Sequence, residues 1–177
     1  MRSTGQIKSF LNKYNCKNIL VVTGNKSYDS SGSRKLIEES LFDAKYYRFF
    51  EFEQNPKIDD VIAGVKYFTE NNCDSIIGIG GGSTIDISKL ISSFINEDLK
   101  NVSNVLINKN NFKRKVPLLI APTTAGSGSE ETSFAVLYAN KVKYSVNNLT
   151  LIPDKVILNP KLSFSMSKYQ KAVSGLD

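Results

Sequence analysis

The residues with the most evident chemical use are three consecutive glycines, Gly80, Gly81 and Gly82, followed by Ser83. They join a short apolar run to a helix-like segment, which predicts a turn between a strand and a helix. Glycine leaves no Cβ between the backbone amides and a ligand, and the first helical turn presents unpaired N–H groups and the positive end of its dipole. Ser83 also fits an N-cap, with Asp86 as its capping-box partner. The turn therefore predicts a diphosphate site, because a turn without a ligand needs fewer glycines.

A second polar loop, residues 122–130, follows the next predicted strand, residues 116–121. The loop offers four hydroxyl groups, those of Thr123, Thr124, Ser127 and Ser129. In a parallel sheet the carboxyl ends of both strands meet at one edge, so the two loops are expected to lie together. Such a loop suits a ribose, a nicotinamide and phosphates, although alone it is more often a solvated surface loop.

Several familiar site patterns are missing from the sequence. The run from Gly78 through Gly80 to Ser83 lacks the last glycine of a dinucleotide fingerprint and has no acidic partner at the expected distance. No GxxxxGK[ST] loop is present, so ATP hydrolysis is not indicated. The chain also contains no histidine. Any mechanism confined to it must do without the usual general base and the usual ligand for zinc or iron.

The elements that would position these loops alternate between strand-like and helix-like patterns. Apolar residues at helical spacing predict helices over residues 6–14, 33–42, 58–71 and 85–95. Short apolar runs predict strands over residues 18–23, 45–52, 75–79, 116–121 and 155–158, and residues 134–138 and 143–146 predict a hairpin. This order predicts an α/β fold: a Rossmann-like, mostly parallel sheet with helices on both faces and a β-hairpin insertion. A flavodoxin-like domain would give the same periodicity.

Composition narrows the class of protein. A chain of 177 residues that is 41% hydrophobic and 23% charged has the makeup of an ordinary globular domain. No apolar run approaches the roughly 20 residues needed to cross a bilayer, and no signal peptide is evident. Cys16 and Cys73 lack metal-type spacing. We therefore expect a cytoplasmic protein with reduced, buried thiols and no membrane contact.

The net charge of +6 invites a nucleic-acid interpretation. The lysines are scattered, however, and the one dense cluster, Lys109 with Lys113, Arg114 and Lys115, lies in an Asn-rich segment without interleaved aromatic residues. A solvated loop is the favoured interpretation of this cluster, so no nucleic-acid partner is expected.

The two loops together resemble the iron-containing alcohol dehydrogenase family. Gly80-Gly81-Gly82-Ser83-x-x-Asp86 and Pro122-Thr123-Thr124-x-Gly126-x-Gly128-Ser129-Glu130 match its motifs, as do residues 152–160 and 174–177. The resemblance implies an NAD(P)-binding domain over residues 1–160, with residues 161–177 opening an all-helical metal-binding domain whose remainder is absent here. It implies the cofactor-binding half of a metal-dependent enzyme that interconverts an alcohol with an aldehyde or ketone, inactive alone and homo-oligomeric. A stand-alone nucleotide-binding module without catalysis is the alternative.

The resemblance also assigns roles to residues of this sequence. It places Gly81, Gly82 and Ser83 on the cofactor diphosphate, and Thr123, Thr124 and Ser127 along its ribose and nicotinamide. Asn55 would meet the adenosine, and Lys143 would contact the cofactor. Asp177 matches the first ligand of a divalent metal, iron or zinc, whose other ligands in the family are histidines.

The choice between NAD and NADP depends on the segment after the first strand. Members of the family that prefer NAD tend to carry an aspartate there, which can accept from the ribose 2′-hydroxyl. This chain has Gly24, Asn25 and Lys26 instead, so a 2′-phosphate is expected to be tolerated. This segment and residues 151–153 also look like those of phosphonoacetaldehyde reductases of the family.

Overall fold

The computed structural model describes residues 3–95, 97 and 113–175. Five parallel strands form one sheet in the order β2-β1-β3-β4-β7, and β5 and β6 form a separate antiparallel hairpin. The strands are β1 (Asn18–Thr23), β2 (Lys45–Phe49), β3 (Ser75–Gly80), β4 (Leu118–Pro122), β5 (Phe134–Ala139), β6 (Val142–Asn147) and β7 (Lys155–Val156). The fold is the expected Rossmann-like α/β fold with a hairpin insertion.

Helices cover both faces of the sheet. They are α1 (Ser3–Tyr14), α2 (Asn25–Ser30), α3 (Ser33–Ser40), α4 (Ile58–Glu70) and α5 (Gly82–Phe94), followed by two short helices, Pro160–Ser163 and Lys168–Ser174. Two 3₁₀ turns, Ser129–Glu131 and Leu149–Leu151, flank the hairpin. No helix of the described part of the chain is long and apolar enough to span a bilayer.

The side chains of β1 point alternately to the two faces of the sheet, and each face has its own hydrophobic core. Leu20 and Val22 pack with α4, α5 and the hairpin on one face, and Ile19 and Val21 pack with α1 and α3 on the other. Because successive side chains of a strand point to opposite faces, a strand that is buried on both faces has an unbroken run of apolar residues in its sequence. This explains why the sequence shows β1 as continuous hydrophobic residues.

Several predicted boundaries differ from the structure. The first strand-to-helix connection contains α2, which the sequence analysis did not predict because its six residues carry no apolar stripe. β2 ends at Phe49 rather than at residue 52, and β7 pairs with β4 over two residues only. α5 begins at Gly82, three residues before the predicted start, because the glycine turn runs directly into the helix.

The basic segment before β4 has a structural role at Arg114. Its guanidinium pairs with the carboxylate of Asp154 (Nη2 to Oδ1, 3.0 Å) and donates to the carbonyl of Thr150 at 2.9 Å. Burial would raise the pKa of Asp154, but the hydrogen bonds from Arg114 and from the Leu118 amide outweigh it and hold that pKa below its ordinary value. The interpretation of this cluster as a solvated loop is therefore wrong for Arg114. Lys109 lies outside the described residues.

Candidate functional site

The strand order fixes where a ligand would bind. The chain runs outward from β1 to β2 on one side and continues through β3 and β4 on the other, so the direction of winding reverses between β1 and β3. In open α/β sheets ligands bind in the crevice outside the carboxyl ends of the strands at this reversal. The loops that follow β1 and β3 begin with Gly24 and Gly81.

The structure brings the two predicted loops together. The Thr123 amide donates to the carbonyl of Gly80 at 2.8 Å, which joins the end of β4 to the end of β3. A Cβ built on Gly81 would lie 3.3 Å from the Cγ2 of Thr124. A Cβ built on Gly24 would lie 3.8 Å from the Oγ1 of Thr84, so the loop after β1 also meets this turn. Three loops thus meet at one edge of the sheet.

The first turn of α5 faces open space at this edge. Its first intrahelical hydrogen bond runs from the Ile85 amide to the Gly81 carbonyl, so the amides of Gly82, Ser83 and Thr84 precede the helix's own hydrogen bonds. A Cβ built on Gly82 would meet no atom within 4 Å. A 13-residue helix therefore presents its N-terminal amides beside a volume that a side chain at Gly82 would fill.

The predicted capping box at this turn is wrong. Gly81 is the N-cap residue and makes no side-chain cap, which leaves Ser83 inside the first turn. The Oγ of Ser83 accepts from the Asn55 amide at 3.3 Å. The carboxylate of Asp86 accepts from the Val136 amide at 3.2 Å, across to β5. Both side chains join α5 to other segments instead of capping their own helix.

Asn55 connects α5 to the hairpin through a tight turn. Its φ of 61° is left-handed, a conformation that asparagine adopts more readily than most residues. The next residue, Pro56, accepts from the Tyr138 amide of β5 at 2.8 Å. Asn55 therefore lies where the end of β2, the N-terminus of α5 and the hairpin converge.

Lys143 is an exposed residue of β6, opposite Tyr138 in the hairpin. Burial raises the pKa of Asp86 to about 6, and the Val136 amide, Lys89 and Lys143 each oppose that rise. The charge of Lys143 therefore acts on Asp86, in the second turn of α5.

Lys89 is a buried cation that the sequence analysis missed. Its side chain is fully buried, and its Nζ donates to the carbonyls of Thr132 at 2.7 Å and Phe134 at 3.1 Å, and also to that of Ser129. Burial lowers its pKa to about 8, against the attraction of Asp86. The available signal was an acid and a base three residues apart in an otherwise uncharged helix. Lys89 fixes the segment that continues from the Thr123–Thr124 loop.

The loop after β1 contains Gly24 and Lys26. Gly24 is the N-cap residue of α2, and Lys26 is exposed in its first turn. A second cation, Arg48 of β2, reaches the same place: its Nε donates to the Oγ1 of Thr23 at 2.8 Å and its Nη2 to the Gly24 carbonyl at 3.3 Å. The sequence analysis did not single out Arg48, because a lone arginine in a predicted strand carries no local signal.

Sequence comparison identifies the family. The profile of the family described as "Iron-containing alcohol dehydrogenase" matches residues 2–160. The chain belongs to this family. It is 30% identical to NADH-dependent butanol dehydrogenase B of Clostridium acetobutylicum over 94% of this chain and 43% of that protein. It is 29% identical to an alcohol dehydrogenase of Thermococcus barophilus over 90% of this chain and 49% of that protein.

Solved structures of the iron-containing alcohol dehydrogenase family share the fold. Sulfoacetaldehyde reductase from Bifidobacterium kashiwanohense, in complex with NAD+, superposes with a TM-score of 0.89 and 28% identity, over 99% of this chain and 47% of that one. An iron-containing alcohol dehydrogenase from Thermotoga maritima gives a TM-score of 0.82 and 28% identity over 49% of its length. The chain thus spans about half the length of these relatives.

Ser127 belongs to the loop that approaches the helix Lys168–Ser174. Ser127 is exposed, and its neighbour Gly126 has a φ of 107° and packs against the Ser174 carbonyl. The C-terminal end of the helix therefore contacts the Thr123–Ser127 loop. Asp177, the expected metal ligand, lies outside the described residues. Among residues 3–95, 97 and 113–175, no group of three or more His, Cys, Asp or Glu is arranged so that it could hold a metal ion.

Proposed function

We propose that this chain is the cofactor-binding half of a metal-dependent NAD(P) alcohol dehydrogenase or aldehyde reductase. The observation that carries the proposal is the open first turn of α5 at the winding reversal of the sheet, where a Cβ on Gly82 would meet no protein atom. Backbone amides at a helix N-terminus, with no side chain in front of them, suit a diphosphate. In this proposal residues 1–160 form the NAD(P)-binding unit and residues 161–177 begin the helical, metal-binding unit.

In this proposal each loop at the sheet edge binds a different part of the cofactor. Gly81, Gly82 and Ser83 would hold the diphosphate, and Thr123, Thr124 and Ser127 would lie along the ribose and nicotinamide. Asn55 would meet the adenosine, and Lys143 would add a positive charge beside the phosphates. When bound, the nicotinamide accepts or donates the hydride. The protein residues of these loops would bind and orient it.

The relatives support the class of reaction. One is named as an NADH-dependent butanol dehydrogenase, and the sulfoacetaldehyde reductase structure contains NAD+. An alcohol or an aldehyde is therefore the proposed small-molecule substrate, with NAD or NADP as cofactor. Gly24 in place of an acidic residue favours tolerance of NADP.

We further propose that catalysis needs metal ligands that these 177 residues do not supply. The family resemblance implies one aspartate, Asp177 here, together with histidines, and the sequence contains none. We also propose a cytoplasmic homo-oligomer, since Cys16 and Cys73 are free thiols and Phe164 and Tyr169 are exposed aromatic residues at 70% and 78%.

Calorimetry of cofactor binding tests the central proposal. A valine at Gly82 would fill the space in front of the first-turn amides, so Gly82→Val should weaken both NAD+ and NADP+ by about 5- to 150-fold, corresponding to about 1–3 kcal/mol of unmade hydrogen bonds. Gly82→Ala should weaken them less. Because a Cβ at this position meets no atom of another segment within 4 Å, the melting temperature of Gly82→Ala should stay close to that of wild type, and Gly82→Val is compared at a temperature where both variants are folded. Equal cofactor affinity in wild type and Gly82→Val would refute the diphosphate site.

A further inference from the structure

Arg48 brings to the carboxyl end of β1 a positive charge that makes no direct ion pair with a described residue. It lies opposite Val21 in the parallel pairing of β2 with β1. Its guanidinium donates to the Thr23 hydroxyl and to the backbone carbonyls of Gly24 and Asn25. Among the ion pairs of the described residues, none includes Arg48. The charge of Arg48 helps to lower the pKa of Asp29 in α2, but the direct ion pair of Asp29 is with Arg34. The guanidinium of Arg48 can therefore still attract an anion that enters the crevice beside β1.

Two aromatic rings hold this guanidinium in place. The central carbon of Arg48 lies 4.2 Å from the ring centre of Tyr28 in α2 and 4.2 Å from that of Phe50, just after β2. Nε and Nη2 are engaged by Thr23, Gly24 and Asn25, whereas Nη1 donates no hydrogen bond to any described residue. A stacked guanidinium loses little further freedom when it binds a phosphate, and its planar fork matches phosphate oxygens.

The position of this cation matches a specific part of a dinucleotide. In doubly wound folds the adenosine ribose lies near the ends of the first two strands, where an acidic residue accepts from the 2′-hydroxyl of NAD or an arginine accommodates the 2′-phosphate of NADP. The loop after β1 carries Gly24 and Asn25 and no carboxylate. Lys26 is exposed, and among the described residues its side chain makes no hydrogen bond or ion pair, so a ligand would have to order it.

We infer that Arg48, rather than Lys26, makes this site selective for a 2′-phosphorylated dinucleotide by contacting the 2′-phosphate. The inference deepens the proposed function and rests on it, because the diphosphate turn of α5 must bind the rest of the cofactor.

Calorimetry with NADP+ and NAD+ tests the inference, since the two differ only by the 2′-phosphate. The measured quantity is the ratio of their dissociation constants for the full chain. We expect wild type to bind NADP+ at least about tenfold more tightly, and Arg48→Gln to reduce this preference by at least about tenfold, the size of a hydrogen-bonded charge contact. Lys45→Gln removes one positive charge from the exposed start of the same strand and should leave the ratio within about twofold of wild type.

The outcomes separate this inference from the proposed function. A chain that binds neither cofactor overturns both. Equal affinity of wild type for NADP+ and NAD+, or an unchanged preference in Arg48→Gln, overturns the role of Arg48 and leaves the diphosphate site standing. If Arg48→Gln does not fold, Arg48→Lys decides: a point charge lacks the planar fork, so its NADP+ preference should fall at least about threefold, and an unchanged preference overturns the inference.

Discussion

Replacing Lys89 by methionine tests whether the buried ammonium holds the cofactor loops on α5. Methionine keeps the length of the aliphatic chain and removes only the charged donor. The carbonyls of Ser129, Thr132 and Phe134 would then lose their ammonium donor, and only longer hydrogen bonds from the Thr132 hydroxyl would remain at Ser129 and Phe134. No water can replace it without opening the packing, since the Lys89 side chain is fully buried. We expect Lys89→Met to destabilise the fold and to loosen the hairpin and the segment before it.

The expected loss in the free energy of unfolding of Lys89→Met is the difference between two opposing effects. Three hydrogen bonds from a charged donor at about 2 kcal/mol each amount to about 6 kcal/mol. Burial lowers the pKa of Lys89 from 10.5 to about 8. The ammonium therefore carries a penalty of about 3 kcal/mol, which methionine avoids. The net loss is about 3 kcal/mol, which lowers the melting temperature by about 6–12 °C for a chain of this size.

Thermal and urea unfolding of wild type and variant measure this loss, and hydrogen exchange locates it. The Val136 amide, which donates to Asp86 one turn from Lys89, should exchange faster in Lys89→Met. Lys66→Met is the matched control: the Lys66 side chain is 73% exposed beside Glu70, so loss of its ammonium should change the free energy of unfolding by about 0.5 kcal/mol or less. A change in Lys89→Met as small as that of the control would refute the reasoning.

Three further predictions follow from the site. Burial raises the pKa of Asp86 from 3.8 to about 6. The stability that the protonated Asp86 contributes is therefore fully present below about pH 4 and is lost as the pH rises through 6. Asp86→Asn should flatten this pH dependence of the free energy of unfolding, measured by urea unfolding. Gly126→Ala should cost more stability than the roughly 1 kcal/mol of Gly128→Ala. Both glycines have positive φ, but only a Cβ at Gly126 would clash with the Ser174 carbonyl, and equal melting temperatures would contradict this. The purified chain supplied with iron or zinc should not oxidise or reduce NAD(P)(H) with short alcohols or aldehydes, and turnover abolished by a chelator would disprove this.

Local patterns in the sequence were sufficient for most of the framework. The apolar run of β1 predicted a strand buried on both faces, and the helical stripe of residues 58–71 predicted α4 to within one residue. The glycine turn between a strand and a helix predicted the place of the candidate site, because glycine's missing side chain is a property of the sequence itself. The hairpin predicted over residues 134–138 and 143–146 was also found, and the structure closes it with a two-residue turn between Ala139 and Val142.

Tertiary structure alone decided which residues complete the site. Asp86 was predicted as a local cap, but it accepts from Val136, 50 residues away, and Lys89 reaches carbonyls more than 40 residues further along the chain. Arg48 meets the loop after β1 only because β2 pairs beside β1. A short-range pattern records the periodicity of an element and the chemistry of a turn. Such a pattern does not show which strands are neighbours in the sheet. The strand order determines which residues a long polar side chain can reach.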